Sequence, residues 1–72
     1  MSAEELFAGH RALLFSVAYE ILGSVADAED VLQESYLRWR EVDLGTVENP
    51  RAYLARIVTR QALNALRAAS RR

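Results

Sequence analysis

At 72 residues the chain is one small domain, which buries only about 60% of the surface its unfolded form exposes and has no room for a cleft between two lobes. Cysteine is absent, which excludes disulfides and thiolate metal sites; no apolar run nears the roughly 20 residues of a membrane span, and the acidic start Met1-Ser2-Ala3-Glu4-Glu5 has the wrong sign for a signal peptide. The formal net charge of −1 conceals a division: residues 1–50 carry all 10 acids and three arginines, and residues 51–72 carry six arginines and no acid.

The punctuation predicts an all-α fold, a small three-helix bundle over about 3–22, 25–40 and 50–69 with a long loop before the third helix. In the first helix Leu6, His10, Leu13, Leu14, Val17, Ala18, Ile21 and Leu22 recur near i, i+3, i+4, i+7, the spacing of one buried stripe. Gly23 is a stop, because glycine enters the left-handed C-cap conformation without penalty. Ser24 is an N-cap with Asp27 three residues on, a capping-box variant with Asp in place of Glu. Asp27, Glu29 and Asp30 load the start of the second helix with the charge its dipole favours. Its apolar side is Val25, Ala28, Val31, Leu32, Ser35, Tyr36 and Trp39.

Residues Glu41 to Asn49 form the loop, turn-rich at Val42-Asp43-Leu44-Gly45-Thr46 and longer than the usual 2–8 residues or so. Asn49-Pro50 starts the third helix, Asn as N-cap and Pro at the first helical position. Leu54, Ile57, Val58, Ala62, Ala65 and Leu66 are its core stripe, and Ser70-Arg71-Arg72 is expected to fray or to lead into a longer chain.

Two faces stand out. Tyr53, Arg56, Arg60, Asn64 and Arg67 are spaced i, i+3, i+7, i+11, i+14 and so share one side of the third helix. Arginine neutralises phosphate, Asn hydrogen-bonds a base edge and Tyr stacks on an unpaired base. The bland alternative is a solvated polar face. Such a face usually mixes signs to gain i,i+4 pairs, and the absence of acids after Pro50, where Arg51 adds to the series, favours nucleic acid.

On the second helix Asp27, Asp30 and Glu34 form an acidic stripe, with Gln33 alongside and Arg38 one turn beyond Glu34. This can dock a basic protein helix. From spacing alone, a dipole-favouring N-terminus with a Glu34–Arg38 surface pair is the better account.

Catalysis and metal binding are not expected: the carboxylates sit on one exposed helix, and His10, the single histidine, lies on an apolar side. No cofactor is called for. The aromatic residues Phe15, Tyr19, Tyr36, Trp39 and Tyr53 read first as core. Trp39 and Tyr53 nonetheless flank the long loop, and if the loop folds back they frame a small concave site of the kind an extruded base needs.

Three runs carry a resemblance. They are Phe7-x-x-His10-Arg11-x-Leu13-Leu14; Gly23-Ser24-x-Ala26-Asp27-Ala28-Glu29-Asp30-x-x-Gln33-Glu34-x-x-x-Arg38-Trp39; and Asn49-Pro50-Arg51-Ala52-Tyr53-Leu54-x-Arg56-Ile57-x-x-x-x-Ala62-Leu63-Asn64-x-Leu66-Arg67. In order and spacing the chain resembles region 2 of a bacterial ECF (extracytoplasmic function) RNA polymerase sigma factor. The Gly23 to Asp30 run is also similar to the subgroup with a C-terminal SnoaL-like extension.

The resemblance implies two partners. One is core RNA polymerase, whose β′ clamp helices would meet Asp27, Asp30, Gln33 and Glu34, with Arg38 nearby. The other is promoter DNA, whose −10 element would be held as single-stranded non-template DNA by Tyr53, Arg56, Arg60 and Asn64. Loop residues from Asp43 to Asn49 would take part, a −10 base being flipped into a pocket beside that loop. It also implies a cytoplasmic location and an anti-sigma factor as a possible further partner. The family often carries Trp at the place of Tyr53 and Asn at the place of Arg60. The second departure moves the expected preference from adenine toward phosphate or guanine. The two partners are expected on opposite flanks of the body.

Two rival readings remain at this point. A duplex-reading helix-turn-helix needs a tight turn of three or four residues, whereas the Gly23-Ser24 link leads into an acidic helix and the second link is too long. A protein-binding bundle without nucleic-acid contact needs only the acidic stripe.

Overall fold

The computed structural model describes residues 1–71. Helix α1 spans Ala3–Leu22, α2 Val25–Trp39 and α3 Pro50–Ser70, each packed on the other two, in a body of 40 × 20 × 16 Å. The expected all-α bundle is present. Residue Arg40, expected inside the second helix, is instead its cap; α3 ends one residue later than expected; and Arg72 lies outside the described residues.

Local chemistry sets each boundary. Ser2 and Glu5 close a full capping box on α1, the Ser2 hydroxyl accepting from the Glu5 N–H and the Glu5 carboxylate from the Ser2 N–H, both at 3.1 Å. Gly23, at φ 67°, ends α1 by donating its N–H to the Tyr19 carbonyl at 2.7 Å. The Ser24 hydroxyl accepts from Asp27 N–H at 3.2 Å. The reciprocal bond from the Asp27 carboxylate is missing, so only half of the expected box forms. Aspartate is one methylene shorter than glutamate and does not reach back.

The core is Phe7, Leu14, Ala18, Ala28, Val31, Leu32, Trp39, Leu54, Val58 and Ala62, with Ser35 fully buried among them. Burying each of the large side chains is worth about 1.5–3 kcal/mol. Three expectations change. Phe7, outside the predicted stripe, is buried and meets Tyr36 edge-on at 5.1 Å between ring centroids. Val25 and Leu66, placed on core stripes, are 60% and 44% exposed.

The loop does fold back. Val42, Leu44 and Val47 pack against the core, and a 3-10 turn at Leu44–Thr46 is capped by Asp43, whose carboxylate accepts from Gly45 N–H at 3.0 Å. Asn49 caps α3, its side-chain carbonyl accepting from Ala52 N–H at 3.1 Å.

Candidate nucleic-acid and protein interfaces

Helix α3 buries Leu54, Val58 and Ala62, which turns Tyr53, Arg56, Arg60, Asn64 and Arg67 outward, all of them exposed. The five residues therefore share one side, as their spacing required. Arg51, two residues before Tyr53, is exposed but leaves the helix on a different side. Its position in the first turn sets a cation against the positive end of the dipole.

None of Arg51, Arg56, Arg60, Arg67 and Arg71 makes an ion pair among the described residues. The pairs Arg56/Arg60 and Arg67/Arg71 even place like charges four residues apart, an arrangement that destabilises an isolated helix. A polyanion would relieve this repulsion.

Tyr53 is a prepared surface. The residue is 37% exposed, and its ring lies 5.8 Å from the Trp39 ring, tilted by 54°. Trp39 is fully buried, and its indole N–H donates to the Ala3 carbonyl at 2.9 Å. The expectation that both rings frame an open site is thus corrected: Trp39 is the backing and Tyr53 alone is presented. Beside Tyr53 is a hollow of about 200 Å³, lined by Arg38, Arg56, Ile57, Arg60 and Gln61. Gln61 was not singled out from the sequence. Its position eight residues after Tyr53 and four after Ile57 was the available signal.

The loop residues assigned to the same interface have local duties. Asp43 holds the 3-10 turn, and the Asn49 carbonyl caps α3, while the Asn49 amide makes no bond among the described residues.

Asp27, Asp30, Gln33 and Glu34 are all exposed on α2. Glu34 and Arg38 pair at 3.6 Å, the i,i+4 contact that spacing favoured. Glu29, outside the predicted stripe, pairs with Arg11 of α1 at 2.6 Å. Asp30 and Gln33 border an apolar groove of about 500 Å³ between α1 and α2, floored by Phe7, Leu32 and Tyr36. At the edge of this groove, burial pushes the Tyr36 phenol up, and the Glu4 carboxylate nearby adds to the shift.

On the other side Asp27, Asp30 and Glu34 border a second groove, of about 680 Å³, shared with Gln61, Asn64 and Leu66 of α3. The acidic and basic faces thus adjoin across the α2/α3 seam rather than occupying opposite flanks. Asn64 belongs to both, since it also lines the shallow trough of Arg56, Arg60 and Arg67. His10 is half-buried and its Nδ1 donates to the Leu6 carbonyl at 2.7 Å, a packing role. No helix among the described residues is long and apolar enough to cross a membrane.

Comparison with known proteins adds a second line. The family model for Sigma-70 region 2 matches residues 6–72. The chain is 47% identical over 66 residues to the ECF RNA polymerase sigma factor SigJ of Mycobacterium tuberculosis, covering 92% of this chain and 21% of that protein. It is 32% identical over 63 residues to the probable ECF RNA polymerase sigma factor SigI of the same species, covering 88% of this chain and 22% of that protein. The chain therefore spans about a fifth of the length of these curated relatives. No solved structure matches it.

Proposed function

The chain belongs to the Sigma-70 region 2 family, and from that premise we propose that it is the part of an ECF-type transcription initiation factor that docks on core RNA polymerase and holds the promoter −10 element as an opened non-template strand. The observation that carries the reading is the α3 face, where Arg56, Arg60 and Arg67 stand exposed, with no ion pair among the described residues, beside the half-exposed Tyr53.

The mechanism follows from capture rather than covalent chemistry. The acidic helix α2 offers Asp27, Asp30, Gln33 and Glu34 to the basic clamp helices of the polymerase β′ subunit, which positions the domain over DNA. The guanidinium groups of α3 then neutralise phosphates, and Tyr53, stiffened by Trp39 behind it, receives the face of an unstacked base. Each captured base offsets part of the few kcal/mol needed to unstack it. The folded-back loop shapes the approach, with Asp43 setting its turn. Arg51 and Asn49 lie where the strand leaves it. Such a role would put the protein in the cytoplasm beside the polymerase, where an anti-sigma factor would act by covering the acidic helix.

A helix-turn-helix reading loses support, because the ten residues 40–49 separate α2 from α3 and the acids of α2 would repel a duplex. A protein-binding bundle without DNA contact leaves the unpaired arginines without a purpose.

Fluorescence anisotropy with a labelled single-stranded oligonucleotide at low ionic strength tests the reading, with the duplex as control. The single strand should be preferred. Arg56→Ala and Arg60→Ala should each weaken binding and lower the slope of log affinity against log salt by about 0.7. Equal binding by wild type and both variants, or preference for the duplex, would overturn it.

A further inference from the structure

The fold delivers Arg38 to the cationic side of the molecule although the acidic helix carries it. Its side chain lines the hollow beside Tyr53 together with Arg56 and Arg60 of α3, and no acid shares that lining. Three guanidinium groups from two helices around one aromatic face suit a single nucleotide, its phosphate on the arginines and its base on the ring.

Arg40, two residues on, is the internal contrast. It leaves α2 about 200° around the axis from Arg38. Its guanidinium carbon stands 5.9 Å from the centroid of the Tyr36 ring, on the side of the α1/α2 groove.

Arg38 is only loosely committed to Glu34. The contact is 3.6 Å long, and the two side chains are 57% and 53% exposed. A close charge-assisted bond is about 2.7–2.9 Å, and an exposed i,i+4 pair shifts an equilibrium by a factor of only about two. In the last turn of α2 the dipole already favours a cation, so Arg38 does not depend on Glu34 for its position. Glu34 itself stands on the face proposed to meet the basic polymerase segment.

We infer that Arg38 is a strand contact held in check by Glu34, and that a basic partner which takes up Glu34 releases the Arg38 guanidinium to a backbone phosphate over the Tyr53 hollow. This rests on the reading of the α3 face given above, and it makes polymerase docking and strand capture mutually reinforcing through one exchange of charge partners.

The test is the same anisotropy measurement on the 72-residue chain, with helicity of every variant checked by circular dichroism. Arg38→Gln should weaken single-strand binding about three-fold and lower the salt slope by about 0.7, whereas Arg40→Gln changes neither. Glu34→Gln should strengthen binding about two-fold in the wild-type background and not at all in the Arg38→Gln background.

Equal losses in Arg38→Gln and Arg40→Gln would mean diffuse attraction and would overturn the assignment. A Glu34→Gln gain that persists without Arg38 would mean relief of general repulsion and would overturn the latch. Loss of binding in Arg56→Ala and Arg60→Ala but not in Arg38→Gln defeats this inference alone. Wild-type binding in all three defeats the reading beneath it as well.

Discussion

Single side chains decide how much of this small core is specified. Ser35 was legible as a small residue on the buried stripe of α2, but its hydroxyl has no hydrogen-bond partner among the described residues although the residue is fully buried. An unsatisfied buried hydroxyl costs about 1–3 kcal/mol, and alanine also forms helix more readily. Ser35→Ala should therefore stabilise the domain by about 1 kcal/mol, raising the thermal midpoint by about 4–8 °C in a scanning melt. An unchanged or lowered midpoint would mean the hydroxyl is satisfied. Phe7 was missed because helical periodicity gives a stripe its direction but not its width: Leu6, one position away, is only half-buried. The reverse error at Val25 and Leu66 has the matching cause, since periodicity does not report how closely neighbouring helices cover a stripe.

At the level of elements the chain was readable almost to the residue. Gly23-Ser24 and Asn49-Pro50 are paired stop and start signals whose geometry admits few alternatives. What stayed hidden was reciprocity, present at Ser2/Glu5 and absent at Ser24/Asp27, because it depends on one methylene of reach. The α1 box carries a pH consequence. Hydrogen bonds from the Ser2 N–H and then from the Ser2 side chain hold the Glu5 carboxyl below its ordinary 4.5. A depressed carboxyl contributes stability above the unfolded value and loses it as pH falls through the folded one. Wild type should thus lose part of its helicity on acidification below about pH 4.5, and Glu5→Gln should show a flatter acid limb in circular dichroism. Identical acid limbs would separate the capping box from the acid response. The loop shows the limit of element-level reading: Val42, Leu44 and Val47 are spaced too irregularly for a helix or strand template, yet all three pack against the core.

Across the whole molecule, the charge division in the sequence survives folding because no arginine of α3 finds an acid among the described residues. Each helical wheel fixed a stripe around its own axis. Neither wheel fixed the angle between α2 and α3, which comes from core packing, and so the faces expected on opposite flanks proved to be neighbours across a seam. Adjacency makes their independence a real question, and opposed variants answer it. Asp30→Arg places a cation in the acidic face and should abolish capture of the polymerase β′ clamp segment, a loss of at least about ten-fold, with helicity retained. Arg56→Ala should leave that capture intact while weakening the single strand. If Arg56→Ala lost both partners, or Asp30→Arg kept the clamp segment, the acidic helix would not be a separate docking surface. The two-partner account requires each variant to fail on its own side of the seam.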